Sequence, residues 1–349
     1  MVTEIIPVDE LHIDEELLKR AGEIIRKGGL VAFPTETVYG LGGDALNPKS
    51  ARRIYAAKGR PSDNPLIVHI ADWEALAPIA ARIPEAARQL ADAFWPGPLT
   101  MIFKKTQKVP YETTGGLDTV AVRMPSNKAA LVFIRAAGGY VAAPSANRSG
   151  RPSPTSARYV EEDLSGKVEM ILDGGAAKIG LESTIVDLTE DVPVILRPGY
   201  ITREMLEEVL RSVEMDQVIL PDDSKQAPKA PGMKYRHYAP KGEMTVIAGG
   251  SEQVIAYINE QARLLRQQGH RVGVVASDET AESYEADIIK SVGGRNDEDS
   301  IAKRLYRILR EFDDGGATVI FSESFGEKGF GQAIMNRLIK AAGYRTVHL

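Results

Sequence analysis

The sequence predicts an α/β protein of two domains, and three features predict it. Through about residue 212, short apolar runs of strand character interleave with a few helices without regular alternation, the pattern of a mixed, twisted sheet. A stretch rich in proline and charge, Pro221 to Gly232, then shows no apolar periodicity and reads as a linker. Beyond it, strand and helix patterns alternate regularly over about 100 residues, as in a smaller, Rossmann-like, doubly wound parallel domain. The expected division is 1–212, a linker over 213–242, and 243–349. A chain of 349 residues also exceeds what one core of ordinary size organises.

Each element has its local reason. Asp14 is placed to cap a helix in which Leu17, Leu18, Ala21, Ile24 and Ile25 recur at helical spacing before Gly28-Gly29 stops it. Leu30 to Phe33 reads as a short buried strand running into Pro34. A second helix is expected from Ser50 to Lys58, ended by Gly59 and Pro61. Ile67 to Ile70 is a strand, and Pro84 to Trp95 is helical until Pro96-Gly97-Pro98 forbids continuation. Strand-like runs follow at Leu99 to Phe103, Thr119 to Arg123, Tyr140 to Ala143, Met170 to Leu172, Ser183 to Asp187 and Val194 to Arg197. In the second domain, strands are expected over 244–248, 271–276 and 317–321. Its helices are expected over 252–268, 300–312 and 331–342.

Composition narrows the function classes. No apolar run approaches the roughly 20 residues that a membrane span needs. The opening Met1-Val2-Thr3-Glu4 has neither a basic nor an apolar leader region, so no signal peptide is expected. Zero cysteine removes disulfides, thiolate nucleophiles and Cys-based zinc sites, and makes the cytoplasm the expected location. A net charge of −5 argues against a general nucleic-acid coat, so any basic surface must be local.

Familiar short motifs are missing. There is no Walker loop; Gly40-Leu41-Gly42-Gly43 fails the dinucleotide spacing, and no Gly-x-Ser-x-Gly elbow occurs. The five histidines, His12, His69, His237, His270 and His348, form no metal-ligand pair at helical spacing. What stands out is polar residues at strand ends. Thr35 to Leu41 offers hydroxyls and a glycine that suit either a pocket or a turn with threonine caps. Lys58 and Arg60 with Asn64 suit a phosphate chain held by a stiff loop, or simply complement a helix dipole. His69 in an apolar strand reads as a core or edge histidine. Arg123 ends an apolar strand and wants a carboxylate or phosphate, from a ligand or from an internal aspartate. Pro144 to Gly150 is small and sharply turned, as an anion-binding nest requires, and Ser153 extends its rim. Leu181 to Asp187 and Leu196 to Gly199 repeat the theme.

In order, the segments Thr35–Leu41, Lys58–Leu66, Val122–Pro125, Pro144–Asn147, Ser183–Asp187 and Arg197–Gly199 resemble those of YrdC-type threonylcarbamoyl-AMP synthases. Pro231 to Pro240 resembles the linker of the longer, two-domain members. The resemblance implies an α/β twist around a large, positively charged cavity. It implies synthesis of threonylcarbamoyl-AMP from L-threonine, bicarbonate and ATP with release of pyrophosphate. The product would serve N6-threonylcarbamoyladenosine formation through a downstream transferase complex acting on tRNA. Carried over, Thr37, His69, Arg123, Ala143 and Ser183 would surround threonine, with Arg123 on its carboxylate. Arg60, Asn64, Thr119, Ser145, Ser153 and Arg197 would hold ATP, with Lys58 beside the phosphates and Tyr235 closing the nucleotide site. Lys58 and Arg60, as the catalytic pair, would spread the developing charge. Mg²⁺ would accompany the triphosphate on phosphate oxygens and water. The C-terminal domain would dock the transferase complex or regulate access to the cavity.

Two other readings compete. An RNA-holding module is permitted by local cations, and a weak direct contact with tRNA stays open, but aromatic residues for base stacking are only 6%. A hydrogenase carbamoyl-transfer factor is disfavoured because such proteins carry cysteine-rich zinc fingers.

Overall fold

The structure is a computed structural model that describes residues 1–216, 228–231 and 238–349. It divides into two compact units. The first holds Met1–Ser149, Ser153–Lys178 and the described residues from Glu182 to Pro231; the second holds Gly150–Pro152, Ile179–Leu181 and the described residues from Tyr238 to Leu349.

In the first unit the chain runs β1 (Glu4–Pro7), α1 (Glu15–Arg26), β2 (Val31–Phe33), β3 (Gly40–Asp44), α2 (Pro48–Lys58), β4 (Ile67–His69), α3 (Glu85–Phe94), β5 (Leu99–Lys104) and β6 (Thr119–Arg123). It continues through α4 (Lys128–Ala136), β7 (Val141–Ala142), α5 (Ala157–Leu164), β8 (Met170–Asp173), β9 (Thr184–Asp187), β10 (Val194–Arg197), α6 (Arg203–Val209) and β11 (Glu214–Met215). The strands form one mixed sheet in the order β1-β8-β2-β3-β7-β4-β6-β5-β9-β10-β11.

The helix ends follow local chemistry. Asp14 caps α1 by accepting from Leu17 N at 3.0 Å. Asn47 caps α2, Pro48 opens it, and Gly59 ends it at φ 63°. Several elements carry no strong signal in the sequence. β3 is mostly glycine, a residue strands disfavour, yet it is buried because Val31, Phe33 and Val141 fill the space its side chains leave. α4, α5 and α6 are short, and β1 and β11 are edge strands supported by single neighbours.

Strand alternation then divides the sheet's two faces. Val68, Val120, Val122, Met101, Phe103, Val186 and Ile195 point into the main core, which α2, α3, α5 and α6 cover. On the opposite face, Val31, Phe33, Val141 and Ala143 pack under α1 and α4 through Leu18, Ala21, Ile25, Phe133 and Ile134. The rest of that face is different. Ile67, Ile102, Ala121, Ile185 and Leu196 form a small apolar floor with Ala230, and no helical residue belongs to that cluster among the described residues. Half of one sheet face is thus left without a helix.

The second unit contains β12 (Glu243–Ala248), α7 (Ser251–Gln267), β13 (Val272–Ala276), β14 (Ile288–Ser291), α8 (Glu298–Asp314), β15 (Val319–Glu323), α9 (Gly331–Ala341) and β16 (Thr346–His348). All its ladders are parallel, in the order β14-β13-β15-β12-β16. That is the α/β sheet expected of the last third of the chain. Among the described residues no helix is long and apolar enough to cross a membrane.

α1 and α4 approach most closely at Gly22, where an added Cβ would overlap the Ala136 carbonyl and stand 2.8 Å from Ala136 Cβ. Gly22→Ala gains roughly 1 kcal/mol of helix propensity. It forces apart two packed helices at a cost of about 1–3 kcal/mol. The expected outcome is a lower thermal unfolding midpoint, by several degrees, measured by circular dichroism.

Candidate active site

The half of the sheet face without a helix among the described residues collects polar side chains at its two ends. β4 and β6 run parallel, with His69 opposite Arg123 in register, and antiparallel β5 places Thr100 opposite Arg123. β5 runs parallel to β9, with Leu99 beside Thr184, so Ser183 stands at the same end. Thr100 Oγ1 and Ser183 Oγ are 2.8 Å apart. Arg197 Nη2 donates to Ser183 Oγ at 3.2 Å, and its Nε donates to Ser183 O at 3.1 Å. A bulge between Ile195 and Arg197 accompanies that reach. Arg197 Nη1 donates to Pro231 O at 3.2 Å, which ties the 228–231 segment to this end.

Arg123 anchors the group. Its Nη1 donates to Thr37 Oγ1 at 2.9 Å, its Nε donates to Gly97 O at 3.3 Å, and its Nη2 lies 2.7 Å from Glu36 Oε1. The internal partner of Arg123 is therefore a glutamate, Glu36, and not the aspartate expected from the sequence. Thr37 is held from behind by Thr35, whose Oγ1 lies 2.9 Å away. His69 places Nδ1 3.2 Å from Ile67 O; a carbonyl only accepts, so Nδ1 carries the proton. Burial, with Arg123's charge beside it, pushes the His69 pKa down to about 3. Ala143 N donates to Ile67 O at 2.8 Å, and its side chain belongs to the cluster under α1 and α4.

The other end lies roughly 13 Å away along β6, the rise over the four residues from Thr119 to Arg123. Arg60 donates from Nε to Asn64 O at 3.3 Å and from Nη2 to Pro65 O at 3.1 Å, which draws the loop before β4 tight. Asn64 is 1% exposed, and its Oδ1 has no hydrogen-bond partner among the described residues. Thr119 opens β6 and is half-buried. Lys58, the last residue of α2, donates from Nζ to Asn147 O at 2.6 Å, to Asn147 Oδ1 at 3.2 Å and to Ser145 O. Ser145 Oγ in turn donates to Asn147 Oδ1 at 2.5 Å. Lys58 thus stiffens the 145–147 turn and brings its charge there. Ser153 Oγ donates to Glu182 Oε1 at 2.5 Å, adjacent in sequence to Ser183.

Of the residues expected at the site, Thr37, His69, Arg123, Ser183 and Arg197 fall into one linked group. Arg60, Asn64 and Thr119 fall at the far end of the same strands, Lys58 and Ser145 form a turn of their own, and Tyr235 lies outside the described residues. Four residues were not singled out from the sequence: Glu36, Thr100, Asn147 and Glu182. Glu36, Asn147 and Glu182 lie in segments already marked by their polarity. Thr100 could have been found from alternation, since it shares a face with Ile102 in an otherwise apolar strand.

Comparison with known proteins bears on this geometry. Residues 23–199 match the family described as "Telomere recombination", and residues 201–343 match "Threonylcarbamoyl-AMP synthase, C-terminal domain". The threonylcarbamoyl-AMP synthase of Pyrococcus abyssi is 49% identical over 346 residues, 99% of each chain. The chain belongs to the threonylcarbamoyl-AMP synthase family. The Bacillus subtilis member of the family is 46% identical over 97% of this chain and 96% of its own. A crystal structure of the Pyrococcus abyssi protein, named Sua5 and complexed with L-threonine, superposes with a TM-score of 0.93 at 48% identity. That match covers 99% of this chain and 100% of the other. In this family's two-domain form, the mixed sheet and the parallel sheet correspond to the two matched segments.

The low pKa of His69 sets a pH dependence. The unfolded chain takes up the proton first, so the imidazole's contribution to stability is intact above about pH 6.5 and is lost as pH falls toward 3. Imidazole NMR of the folded protein should show a neutral ring, protonated at Nδ1, between about pH 5 and 8. A titration midpoint near 6.5 would contradict this burial.

Proposed function

We propose that this chain synthesises threonylcarbamoyl-AMP from L-threonine, bicarbonate and ATP, releasing pyrophosphate, for N6-threonylcarbamoyladenosine modification of tRNA. The observation that carries the reading is a half-face of the sheet with a buried cation at one end and phosphate-suited groups at the other. A relative of 48% identity described as complexed with L-threonine supports it.

Threonine sits at the Arg123 end. The guanidinium takes the carboxylate, Thr37 and Ser183 offer hydroxyls, and the neutral His69 adds bulk and polarity without a second positive charge. Small Ala143 leaves room. ATP extends toward the opposite end, where Arg60, Asn64, Thr119 and Ser145 hold it, while Ser153, bonded to Glu182, and Arg197 hold it at the threonine end. Asn64 Oδ1, a buried acceptor without a partner among the described residues, suits an N–H or O–H donor of the nucleotide. Once threonine's amine has lost its proton, it displaces water from bicarbonate to give a carbamate. A carbamate oxygen attacks the α-phosphorus, and pyrophosphate leaves. Lys58 and Arg60 act as the catalytic cations by spreading the phosphate charge, and positioning supplies the rest. No group of three or more His, Asp or Glu able to hold a metal occurs among the described residues. Mg²⁺ would be carried by the triphosphate, supplying charge neutralisation there.

Residues 1–212 are the catalytic domain and 243–349 a second domain, with 213–242 the linker whose Tyr235 closes the nucleotide site. Contact of Ala230 with the floor and of Pro231 with Arg197 supports that closure. The product passes, in the cytoplasm, to a threonylcarbamoyl transferase complex that acts on tRNA.

The test is incubation with ATP, bicarbonate and each amino acid in turn, with mass detection of the product. Threonine should give the adenylate and stoichiometric pyrophosphate. Arg123→Ala should abolish threonine-dependent pyrophosphate release with little loss of ATP affinity by calorimetry, whereas Lys58→Ala and Arg60→Ala should weaken ATP instead. Tight RNA binding without pyrophosphate release would favour the RNA-holding alternative.

A further inference from the structure

We propose that Glu36 is a positioning residue for the amino-acid substrate, holding the Arg123 guanidinium so that its uncommitted N–H groups meet threonine's carboxylate. The inference rests on the reading that Arg123 takes that carboxylate. A guanidinium carries five N–H donors in a rigid fork. On Arg123, the Nε hydrogen goes to Gly97 O and one Nη1 hydrogen to Thr37 Oγ1, so two of the five are committed to the protein. Glu36 Oε1 lies 2.7 Å from Nη2, an ion pair that holds the guanidinium from a third side. One hydrogen on Nη1 and one on Nη2 are left for a carboxylate approaching the tip of the fork, the geometry of bidentate recognition.

The acid is itself fixed. Its Oε2 accepts from Ser126 N at 3.1 Å, just past Met124-Pro125, and both paired side chains are only 5% exposed. With Oε1 on Arg123 and Oε2 on Ser126 N, Glu36 acts through the arginine. It also compensates a cation that would otherwise be buried alone, which is costly. The pair is neutral before threonine arrives, so the substrate carboxylate enters a site already oriented for it.

The experiment uses the full chain with Glu36→Gln, Glu36→Asp and Arg123→Ala, each checked for an intact unfolding transition. Steady-state kinetics are read for threonine and ATP separately. Binding of L-threonine and of L-threoninol, which lacks the carboxylate, is read by calorimetry. Glu36→Gln keeps shape but removes charge; threonine KM should rise about tenfold while ATP KM stays within about twofold, and threoninol affinity should not change. Glu36→Asp should bring threonine KM back to about threefold above the wild type. Should Glu36→Gln fail to fold, Glu36→Asp alone decides: a threonine KM raised about threefold with ATP KM unchanged supports the proposal. An unchanged threonine KM overturns it. Threonine and ATP KM rising together, or threonine and threoninol weakening equally, would reduce Glu36 to a structural acid and overturn the proposal. If Arg123→Ala leaves threonine affinity by calorimetry unchanged, the carboxylate reading itself has failed. If Arg123→Ala weakens that affinity and Glu36→Gln does not, only the positioning role has failed.

Discussion

The chemistry of the first unit depends on a buried guanidinium at the end of an apolar strand. Arg123 follows Val120, Ala121 and Val122, and its position on β6 forces it to the face opposite the main core. A cation taken out of water there needs an acid, acceptors, or both. Glu36, Thr37 and Gly97 supply them from segments far apart in sequence. The loop after β2 and the turn before β5 are thereby fixed around one point. Register then carries Thr100 and, through it, Ser183 and Arg197 to the same end.

The second constraint is coverage. A sheet this wide needs helices on both faces, and α1 and α4 cover only the β2, β7 and β8 side of the second face. The floor made by Ile67, Ile102, Ala121, Ile185 and Leu196 is consequently edged by polar groups instead of roofed by a helix. Apolar floor and polar ends suit a pair of substrates laid along the strands, one end reading an amino acid and the other a nucleotide.

Much of this was legible in the sequence, and the reasons differ by element. α1 announced itself through Asp14 and its apolar stripe, and α2 through its glycine stop. The parallel second unit followed from regular alternation. β3 was hidden because glycine disfavours strands and its burial depends on neighbours that only the fold brings near. The site's polar segments were visible as strand ends, but their pairing was not. That Arg123 meets Glu36 rather than an aspartate, and that Thr100 bridges toward Ser183, depends on register between strands that no local pattern reports. The resemblance implied one large, positively charged cavity lined by Arg60, Arg123 and Arg197. The fold instead links Arg123 with Arg197 at one end and sets Arg60 at the far end of the same strands, an arrangement fixed by the length of β6.

The central claim is that both substrates lie on the helix-free half of one sheet face. Methyl NMR with labelled isoleucine, valine and methionine tests it directly, because the two faces carry different probes. Adding L-threonine and ATP should shift Ile67, Ile102 and Ile185 methyls while Val68, Met101 and Val122 stay in place. Shifts concentrated on the latter set, with the floor unmoved, would contradict the account.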